Sequence, residues 1–392
     1  MFCCTIQNSK PYNLLRMLSW IEIDGKRLCA NIDAFKNLLT PITTLMVVVK
    51  ANAYGHGLQA VTPLIAERAD WLGVNSLEEA LEVTSLGIQK PIVILGHTSL
   101  DRIEDVVHNG YRQVLYRLDV AEALSKSAEK LAKTSKVHLK IETGTNRQGV
   151  APSELEEFVG ALRKLRRLEI EGVYTHFANI EDTLDPSFAR SQSRRFQEAL
   201  STLARAGITP RHVHAMATAG ALLYPELSFT MARVGIGAYG VWPSRETQLA
   251  SRERGRLITL ASTLTWKTRV VQIKQVNAGD HVGYGLTYQA TRPMRLAVLP
   301  VGYYDGYDRK LSNSGRALIH SQPVPVIGRV AMNMTMLDVT DVGAQIDDEV
   351  VLLGRQGNAE IRVEELAERI GTIPYEVLAR LNPLTPRILI ES

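Results

Sequence analysis

The chain has 392 residues, of which 45% are hydrophobic and 22% are charged, a composition typical of a globular protein. This length exceeds what one ordinary hydrophobic core fills, so we expect two domains. The 45 basic and 41 acidic residues leave a formal charge of +4, too small a surplus on so long a chain to indicate a nucleic-acid partner or an anionic membrane.

The N-terminal region and the cysteines indicate the cellular compartment of the protein. Residues 1–17 are predicted to be an appendage without pattern; Met17 is a candidate natural start, and a short flexible arm is the alternative. The N-terminus lacks the features of a signal peptide, and no run approaches the ~20 apolar residues of a membrane span. Cys3, Cys4 and Cys29 form neither a disulfide framework nor a cluster with zinc spacing. We therefore expect a cytoplasmic protein without a metal site.

The first large region alternates short apolar strands with amphipathic helices. Strands are predicted at 44–50, 71–75, 91–95, 113–117, 137–142, 170–176, 212–216 and 231–236. This alternation predicts parallel strands with right-handed crossovers, and eight such units fit a (β/α)8 TIM barrel over residues 18–250. A doubly wound sheet is the alternative, although the G-x-G-x-x-G motif expected after its first strand is absent.

After about residue 255 the pattern changes to closely spaced strands separated by turn residues. Strand-like runs are Leu257 to Val276, Arg295 to Val301, Ala317 to Val330, Met334 to Val339 and Glu349 to Leu353. The long helical pattern in this region is Val363 to Ile370. These runs predict a mostly β C-terminal domain over residues 256–392. The early run Ser19 to Ile23 is compatible with either domain.

Lys50 stands out within the barrel region. It closes the apolar run from Leu45 to Val49 and opens a segment of small residues and glycines that ends at Gly57. A partly desolvated amine at such a strand end has a lowered pKa and can act as a base or form a Schiff base. A lysine that snorkels to the surface is the simpler explanation for this residue alone.

Further polar residues follow other predicted strands, at the end of a barrel where active sites lie. They are Glu142 to Arg147 after strand five, His176 after strand six, Thr218 after strand seven, and Arg233 and Gly235 in strand eight. Each alone has a simpler explanation: a core histidine, a barrel-end ion pair or a turn residue. Their shared placement favours a site, and glycines beside a hydroxyl near the last strands are typical of phosphate binding.

Several motifs occur in the order seen in one known family. The segment from Val49 to Gly57 resembles the pyridoxal-phosphate attachment site of alanine racemases. Matching segments follow at Lys140 to Arg147, Tyr174 to Ala178, Arg233 to Gly240, Val282 to Gly285, Val301 to Gly306 and Gly328 to Met332. The resemblance covers roughly residues 18 to 390.

The resemblance implies that pyridoxal 5'-phosphate is the cofactor. Lys50 would form a Schiff base with it and serve as the base on one face of the substrate Cα, and Tyr284 would be the acid/base on the opposite face. The positions that match phosphate-binding residues are Tyr54, Thr218, the backbone of Gly235 and Ile236, and Tyr375.

The remaining matched positions concern the pyridine ring and the substrate. Arg233 would face the pyridine nitrogen, with His176 beside the ring. Arg147 and the Met332 backbone would bind the substrate carboxylate, and Tyr303 would line the access channel. Lys140 matches a position that is carbamylated in several relatives.

The implied activity is interconversion of L-alanine and D-alanine, which supplies D-alanine for peptidoglycan. The family also implies a homodimer with shared active sites, in which Tyr284 reaches Lys50 of the partner subunit. Two bases with pKa values near ~10 are mostly protonated at pH 7, so a neighbouring cation, His176 or Arg233, is expected to lower the pKa of the tyrosine.

Three other functions compete with this interpretation. A pyridoxal-phosphate-binding module with the same barrel usually lacks the β domain that carries Tyr284. A decarboxylase of the same fold is expected to have an acidic residue in place of Arg233 and a cysteine in the C-terminal half, where this chain has none after Cys29. If the protein were a non-enzymatic barrel, the shared placement of these polar residues at the strand ends would be a coincidence. Asn333 stands where many relatives have aspartate, and we expect this departure to affect the size or polarity of the substrate pocket rather than the reaction.

Overall fold

The computed structural model describes residues 17–224, 229–256 and 258–391. The predicted appendage before Met17 and the first residue of the predicted strand run, Leu257, therefore lie outside the described residues. The described residues divide into two compact units, one of residues 23–224, 229–256, 258–263 and 389–391 and the other of residues 17–22 and 264–388. None of the helices in the described ranges combines the length and the apolar character that crossing a bilayer requires.

The first strand, β1 (Ser19–Asp24), leads directly into a helix, Gly25–Leu38. Asp24 caps this helix because its carboxylate accepts a hydrogen bond from the backbone N–H of Arg27 at 3.0 Å. The buried face of the helix carries Leu28, Ile32 and Phe35 at the i, i+4, i+7 spacing of an amphipathic helix. This helix was not predicted from the sequence.

Eight parallel strands form the barrel. They are β2 (Thr44–Val48), β3 (Trp71–Val74), β4 (Ile92–Ile94), β5 (Arg112–Leu115), β6 (Ser135–Lys140), β7 (Leu168–Tyr174), β8 (His212–His214) and β9 (Met231–Val234). They pair in chain order, and β9 returns to pair with β2. Backbone hydrogen bonds from Thr230 to Val213 and from Arg233 to Met216, both 3.2 Å, close the ring between β8 and β9. The predicted TIM barrel is confirmed.

Helices connect the barrel strands in the expected alternation. The connecting helices are Leu58–Arg68, Leu77–Ser85, Ile103–Asn109, Leu118–Lys130, Leu155–Leu162, Ser187–Arg205 and Thr218–Leu223, and the helix Arg245–Glu253 follows the last barrel strand. Inside the barrel, one buried apolar cluster joins different strands: Met46, Trp71, Val93, Val114, Tyr174 and Met231. The barrel is therefore a packed core, which leaves the strand ends as the place for chemistry.

Several predicted strands extended past the observed ends. The strand predicted at 44–50 ends at Val48, the one at 170–176 ends at Tyr174, and the one at 212–216 ends at His214. In each case the residues that follow leave the ladder and form the loops at the carboxyl ends of the strands. Lys50 and His176 therefore lie just beyond strands.

The C-terminal unit is mostly β, as predicted. Its strands are β10 (Leu264–Arg269), β11 (Gln272–Val276), β12 (Met294–Leu299), β13 (Arg316–Ile319), β14 (Gln322–Pro325), β15 (Thr335–Asp338), β16 (Glu349–Gln356), β17 (Ala359–Ile361) and β18 (Arg387–Ile390). One sheet has the order β14-β13-β16-β10-β1-β18 with β17 beside β16, and a second sheet has the order β11-β12-β15. The run Ser19 to Ile23 thus lies in a sheet with strands of the β domain. The helices are Val363–Ile370 and Pro374–Ala379.

Candidate active site

Lys50 lies two residues beyond β2 and is half-buried. The preceding residue, Val49, still donates a backbone hydrogen bond to Gly73 on β3 at 2.8 Å, which fixes the chain up to the lysine. Burial lowers the pKa of Lys50, and the charges of Arg147 and Arg233 lower it further against the opposing effect of Glu79. The amine is therefore more easily deprotonated than an ordinary lysine, as a nucleophile or base requires.

The four residues after Lys50 form a left-handed turn. Ala51, Asn52, Ala53 and Tyr54 all have φ values of 53–54°, a conformation that side chains disfavour. Two side chains hold it: Glu79 accepts a hydrogen bond from the Ala51 N–H at 2.7 Å, and Asn52 accepts one from the Leu58 N–H at 2.7 Å. The turn reverses the chain within a few residues and carries Tyr54 back towards β9.

Tyr54, Thr218 and Gly235 meet beyond the ends of β8 and β9. The hydroxyl of Thr218 accepts backbone hydrogen bonds from Gly235 at 3.2 Å and from Gly237 at 3.4 Å. A Cβ on Gly235 would lie 2.3 Å from the phenol oxygen of Tyr54, so only glycine admits that phenol. Ile236, next in the chain, begins a short 3-10 helix, Ile236–Tyr239. Two hydroxyls and successive backbone N–H groups in a small-residue loop are a suitable setting for a phosphate.

Arg233 is the buried cation of this region. Its Nη2 donates hydrogen bonds to the carbonyl oxygens of Thr175 and Ala215, both at 3.0 Å. The same nitrogen lies 3.2 Å from Nδ1 of His176. The other terminal nitrogen, Nη1, lies 2.7 Å from Nδ1 of His214. Burial lowers its pKa to about 10, Tyr174 opposing and Arg147 adding to the effect, so it remains protonated near neutral pH. Among the described residues, no acceptor lies within hydrogen-bond distance of its Nε.

The expectation that His176 could serve as a cation is wrong. Burial, followed by the charges of Arg233, Arg147, Lys140 and Lys50, lowers the pKa of His176 to about 3. Its Nδ1 faces an Arg233 N–H and therefore accepts, which leaves the proton of the neutral ring on Nε2. The positive charge that acts on this ring comes first from Arg233 and Arg147 and then from Lys140 and Lys50.

Arg147 and Lys140 are linked electrostatically. Lys140, at the end of β6, is 2% exposed, contacts Gln148 Oε1 at 3.2 Å and lies over the Tyr174 ring. Burial and then Arg147 and Arg233 lower its pKa to about 8. Arg147 lies in a loop that Glu142 organises, because that carboxylate accepts hydrogen bonds from Thr145 Oγ1 at 3.0 Å and from the Arg147 N–H at 3.4 Å.

The other predicted site residues lie in the C-terminal unit. Tyr284 begins the short turn Tyr284–Leu286 and is 73% exposed. Tyr303 and Met332 are exposed on adjacent loops, which backbone hydrogen bonds join from Tyr303 to Ala331 and from Tyr304 to Met332, both 3.0 Å. Tyr375 lies in the helix Pro374–Ala379. The structure thus brings the barrel residues together as one group, and it places Tyr303 beside the Met332 loop in the C-terminal unit, which also carries Tyr284 and Tyr375.

Three residues that support the barrel group had no role assigned to them from the sequence: Glu79, His138 and His214, the last of which begins the polar segment at the end of predicted strand seven. Glu79 had a visible signal, because Ser76 and Glu79 have the spacing of a capping box and form one in the structure. The two histidines carry no local signal, since a histidine within an apolar strand reads as an ordinary core residue. Their importance depends on contacts between strands that are distant in sequence.

Comparison with known proteins agrees with this architecture. The family model described as alanine racemase, N-terminal domain, matches residues 23–243, and the model of the alanine racemase C-terminal domain matches residues 263–389. An alanine racemase of Symbiobacterium thermophilum is 40% identical over 371 residues, which cover 94% of this chain and 96% of that protein.

Solved structures give the same result. The crystal structure of alanine racemase from Bacillus anthracis with bound L-Ala-P aligns with a TM-score of 0.89 and 32% identity, and the alignment covers 96% of this chain and 95% of that one. The alanine racemase of Bartonella henselae, with covalently bound pyridoxal phosphate, aligns with a TM-score of 0.83 and 26% identity over 95% of this chain and 100% of that one. From both family models and these relatives, the chain belongs to the alanine racemase family of isomerases.

Proposed function

We propose that the protein is a pyridoxal-phosphate-dependent racemase that interconverts L-alanine and D-alanine by a two-base mechanism, with Lys50 and Tyr284 as the bases. The observation that carries the proposal is the meeting of a lysine of lowered pKa, a hydroxyl and backbone N–H cradle, and a buried arginine at the carboxyl ends of the barrel strands. In this proposal the enzyme works in the cytoplasm, and its product, D-alanine, is used for the synthesis of peptidoglycan.

The residues of the barrel group fit pyridoxal phosphate. The amine of Lys50 suits imine formation with its aldehyde, and the cradle of Tyr54, Thr218, Gly235 and Ile236 suits its phosphate, to which Tyr375 would add a further hydroxyl. When bound, the cofactor supplies an electron sink that makes the substrate Cα–H acidic. The chain's own residues must then bind the substrate and move the proton.

Arg233 would face the pyridine nitrogen with its free Nε–H. Its pKa of about 10 keeps it protonated near neutral pH, so it donates a hydrogen bond to that nitrogen without readily giving up the proton. The neutral ring of His176 would lie beside the cofactor. A ring nitrogen that is not protonated is a weaker electron sink, and this favours return of a proton to Cα over side reactions such as transamination.

Arg147 and the backbone of Met332 would hold the substrate carboxylate, and Tyr303 would line the access channel. A guanidinium group suits a carboxylate because it presents parallel N–H donors. We infer that Lys140 is carbamylated and braces Arg147: its pKa of about 8 gives a sizeable neutral fraction near physiological pH, the form that reacts with carbon dioxide. A carbamate would also replace a buried positive charge near Arg147 by a negative one.

Lys50 Nζ would take or return the Cα proton on one face, and the Tyr284 oxygen would do so on the other. We propose that Tyr284 comes from a second copy of the chain in a homodimer with two shared active sites. The exposure of its phenol supports this arrangement, and the C-terminal unit exposes further large apolar side chains, among them Leu286, Tyr304 and Met332. Large apolar groups left exposed on one copy are available for a protein–protein contact.

Two rival functions have specific features against them. A cofactor-handling module with no turnover leaves the C-terminal unit and the exposed Tyr284 without purpose. A decarboxylase of this fold is expected to have a carboxylate at the position of Arg233 and a cysteine in the second half, but the chain has no cysteine after Cys29.

A chiral assay tests the proposal. Purified protein with added pyridoxal phosphate is incubated separately with L-alanine, L-serine and L-lysine, and both enantiomers are quantified. We expect D-alanine to form from L-alanine and Lys50→Ala to lower the rate by about a thousandfold or more. Lys26→Ala, a change at an exposed lysine of the same unit, serves as the matched control. Absence of D-alanine, or undiminished turnover in Lys50→Ala, would refute the proposal.

A further inference from the structure

A line of hydrogen-bonded side chains runs from Arg233 into the barrel core. Nη1 of Arg233 lies 2.7 Å from Nδ1 of His214, and Nε2 of His214 lies 2.9 Å from Nδ1 of His138. All three side chains are buried: Arg233 is 4% exposed and both histidines are 0% exposed. The proposed mechanism uses the arginine at the head of this line but neither histidine behind it.

The arginine determines where the protons of the two histidines reside. A guanidinium group has only donors, so Nδ1 of His214 must accept and carries no proton. Burial and the nearby charge of Arg233 lower the pKa of His214 well below its usual value, so its ring is neutral and its proton is on Nε2. That N–H donates a hydrogen bond to Nδ1 of His138. Burial lowers the pKa of His138 to about 3. The charge of Glu171 opposes this shift, and His212, Arg112 and Arg233 add to it. The neutral His138 ring then carries its proton on Nε2.

The neighbouring residues accommodate the rings of His214 and His138 in these positions. The Tyr174 ring stacks on His214 with a centroid distance of 4.8 Å and an interplanar angle of 5°. Beside His138 the neighbouring strand has Gly172, where a Cβ would lie 2.7 Å from the imidazole ring, and the strand register shifts between Val137 and His138. The fold therefore makes room for a ring at position 138.

Keeping a histidine there has an energetic disadvantage. Its Nε2 is buried and has no hydrogen-bond partner among the described residues. A buried N–H without an acceptor costs on the order of 1–3 kcal/mol, whereas an apolar side chain of similar size would not incur that cost. An acceptor for His214, rather than stability, is what the imidazole at this position provides.

We propose that His138 is a positioning residue: by accepting the Nε2–H of His214 it fixes the tautomer and orientation of that ring, and thereby holds Arg233 in the orientation that presents its free Nε–H. The functional consequence rests on the proposed function, in which Arg233 faces the pyridine nitrogen. If His138 loses its acceptor atom, His214 can take its other tautomer, whose Nδ1–H would oppose the Arg233 donor.

The first experiment needs no variant. In holoenzyme labelled with 15N-histidine, the nitrogen chemical shifts identify which ring nitrogen of each histidine carries the proton. We expect His214 and His138 both to be neutral with the proton on Nε2, from neutral pH down to about pH 5. A proton on Nδ1 of His214, or a charged ring at either position, would overturn the proposal. This result does not depend on whether the protein racemises alanine.

The second experiment uses variants that separate hydrogen bonding from packing. His138→Leu removes the acceptor, whereas the side-chain oxygen of His138→Asn can occupy the place of Nδ1. The matched control is His212→Leu: His212 is also buried and stacks on His138 at 6.1 Å, but it makes no hydrogen bond to His214. Each holoenzyme is compared for thermal stability, for the absorbance band of the bound cofactor, and for kcat and KM separately.

We expect His138→Leu to lower kcat roughly tenfold or more, as loss of an outer hydrogen-bond partner does at other sites, and to shift the absorbance band. His138→Asn should restore most of both, and His212→Leu should change neither kcat nor the absorbance band. If His138→Leu matches His212→Leu in spectrum and kcat, the proposal is wrong. If wild-type protein does not racemise, the proposed function fails, while the tautomers and the absorbance shift still test the role of His138.

Discussion

Single residues in the barrel are adapted to contacts that a different side chain would destroy. Gly235 is the clearest case, because the space that its Cβ would occupy already holds the phenol of Tyr54. Arg233 is another, because its buried charge is balanced by backbone carbonyls and neutral histidines rather than by a carboxylate. At this scale the local environment determines both conformation and protonation.

We predict that Gly235→Ala weakens cofactor binding. The added methyl group would displace the Tyr54 hydroxyl from the cradle that it shares with Thr218, with a loss of affinity of about tenfold for one hydrogen bond of ~1.4 kcal/mol. Equilibrium dialysis against pyridoxal phosphate measures the effect. Gly160→Ala is the matched control: that glycine is exposed in the helix Leu155–Leu162 with nothing near its Cβ, so the change should raise stability by about 0.5–1 kcal/mol. Equal affinity in both variants would contradict the prediction.

Glu171 gives a prediction about acid stability. It is 3% exposed and contacts Arg112 Nε at 2.8 Å and Lys136 Nζ at 2.7 Å. Burial alone would raise its pKa, but the hydrogen bonds from these two cations hold it at about 2. Because the folded-state pKa is below the ordinary value, this stabilisation is complete above about pH 4.5 and is lost as the pH falls towards 2.

We expect Glu171→Gln to lower the free energy of unfolding near neutral pH by up to about 3 kcal/mol and to flatten the loss of stability between pH 4.5 and 2. Urea unfolding at a series of pH values measures both. Glu169→Gln, two residues away on β7 at a half-exposed carboxylate, should leave the profile almost unchanged. If the two variants have the same profile, the ion cluster does not stabilise the fold as described.

Among the elements, the left-handed turn from Ala51 to Tyr54 is the most unusual. Four consecutive non-glycine residues in this conformation cost roughly 1–2 kcal/mol each, so the turn depends on the surrounding structure. Glu79 is the main support, since one carboxylate oxygen accepts from Ala51 at 2.7 Å and the other from Asn75 at 2.6 Å. The carboxylate thereby connects the chain after β2 to the chain after β3.

We predict that Glu79→Ala relaxes this turn. Loss of these hydrogen bonds to a charged acceptor should lower stability by about 1.5–3 kcal/mol. It should also weaken cofactor retention, because Lys50 immediately precedes the turn and Tyr54 is its last residue. Thermal unfolding and dialysis of the holoenzyme measure the two effects. Glu78→Ala, at an exposed carboxylate on the same helix, should change neither appreciably. A variant that loses stability but keeps full cofactor affinity would show that the turn does not position the site.

The elements also show what the sequence could and could not predict. The alternation of apolar strands and helices was enough for all eight barrel strands, because each strand has its own local pattern. The left-handed turn could not be predicted, because Ala51 and Ala53 have no local preference for positive φ and Glu79 imposes it from another element. The line from Arg233 to His138 was missed for the same reason: it joins β6, β8 and β9, and Gly172 on β7 makes the space for it.

At the scale of the whole molecule, the two groups of predicted site residues lie in different compact units. Lys50 and Arg233 belong to the barrel, and Tyr284 belongs to the C-terminal unit with its phenol largely exposed. Under the proposed function, a complete site needs both groups, and the second is supplied by another copy of the chain. In such a dimer, two variants that each lack one base should repair each other.

Mixing Lys50→Ala with Tyr284→Phe under conditions of subunit exchange tests this central claim most directly. Each variant alone should be almost inactive, with Tyr304→Phe, at a neighbouring exposed tyrosine, as the active control. Half of randomly mixed dimers are mixed, and each of these has one site with both native residues, so we expect about a quarter of wild-type activity. If the mixture stays inactive after light scattering and mass spectrometry show mixed dimers, Lys50 and Tyr284 do not come from different copies.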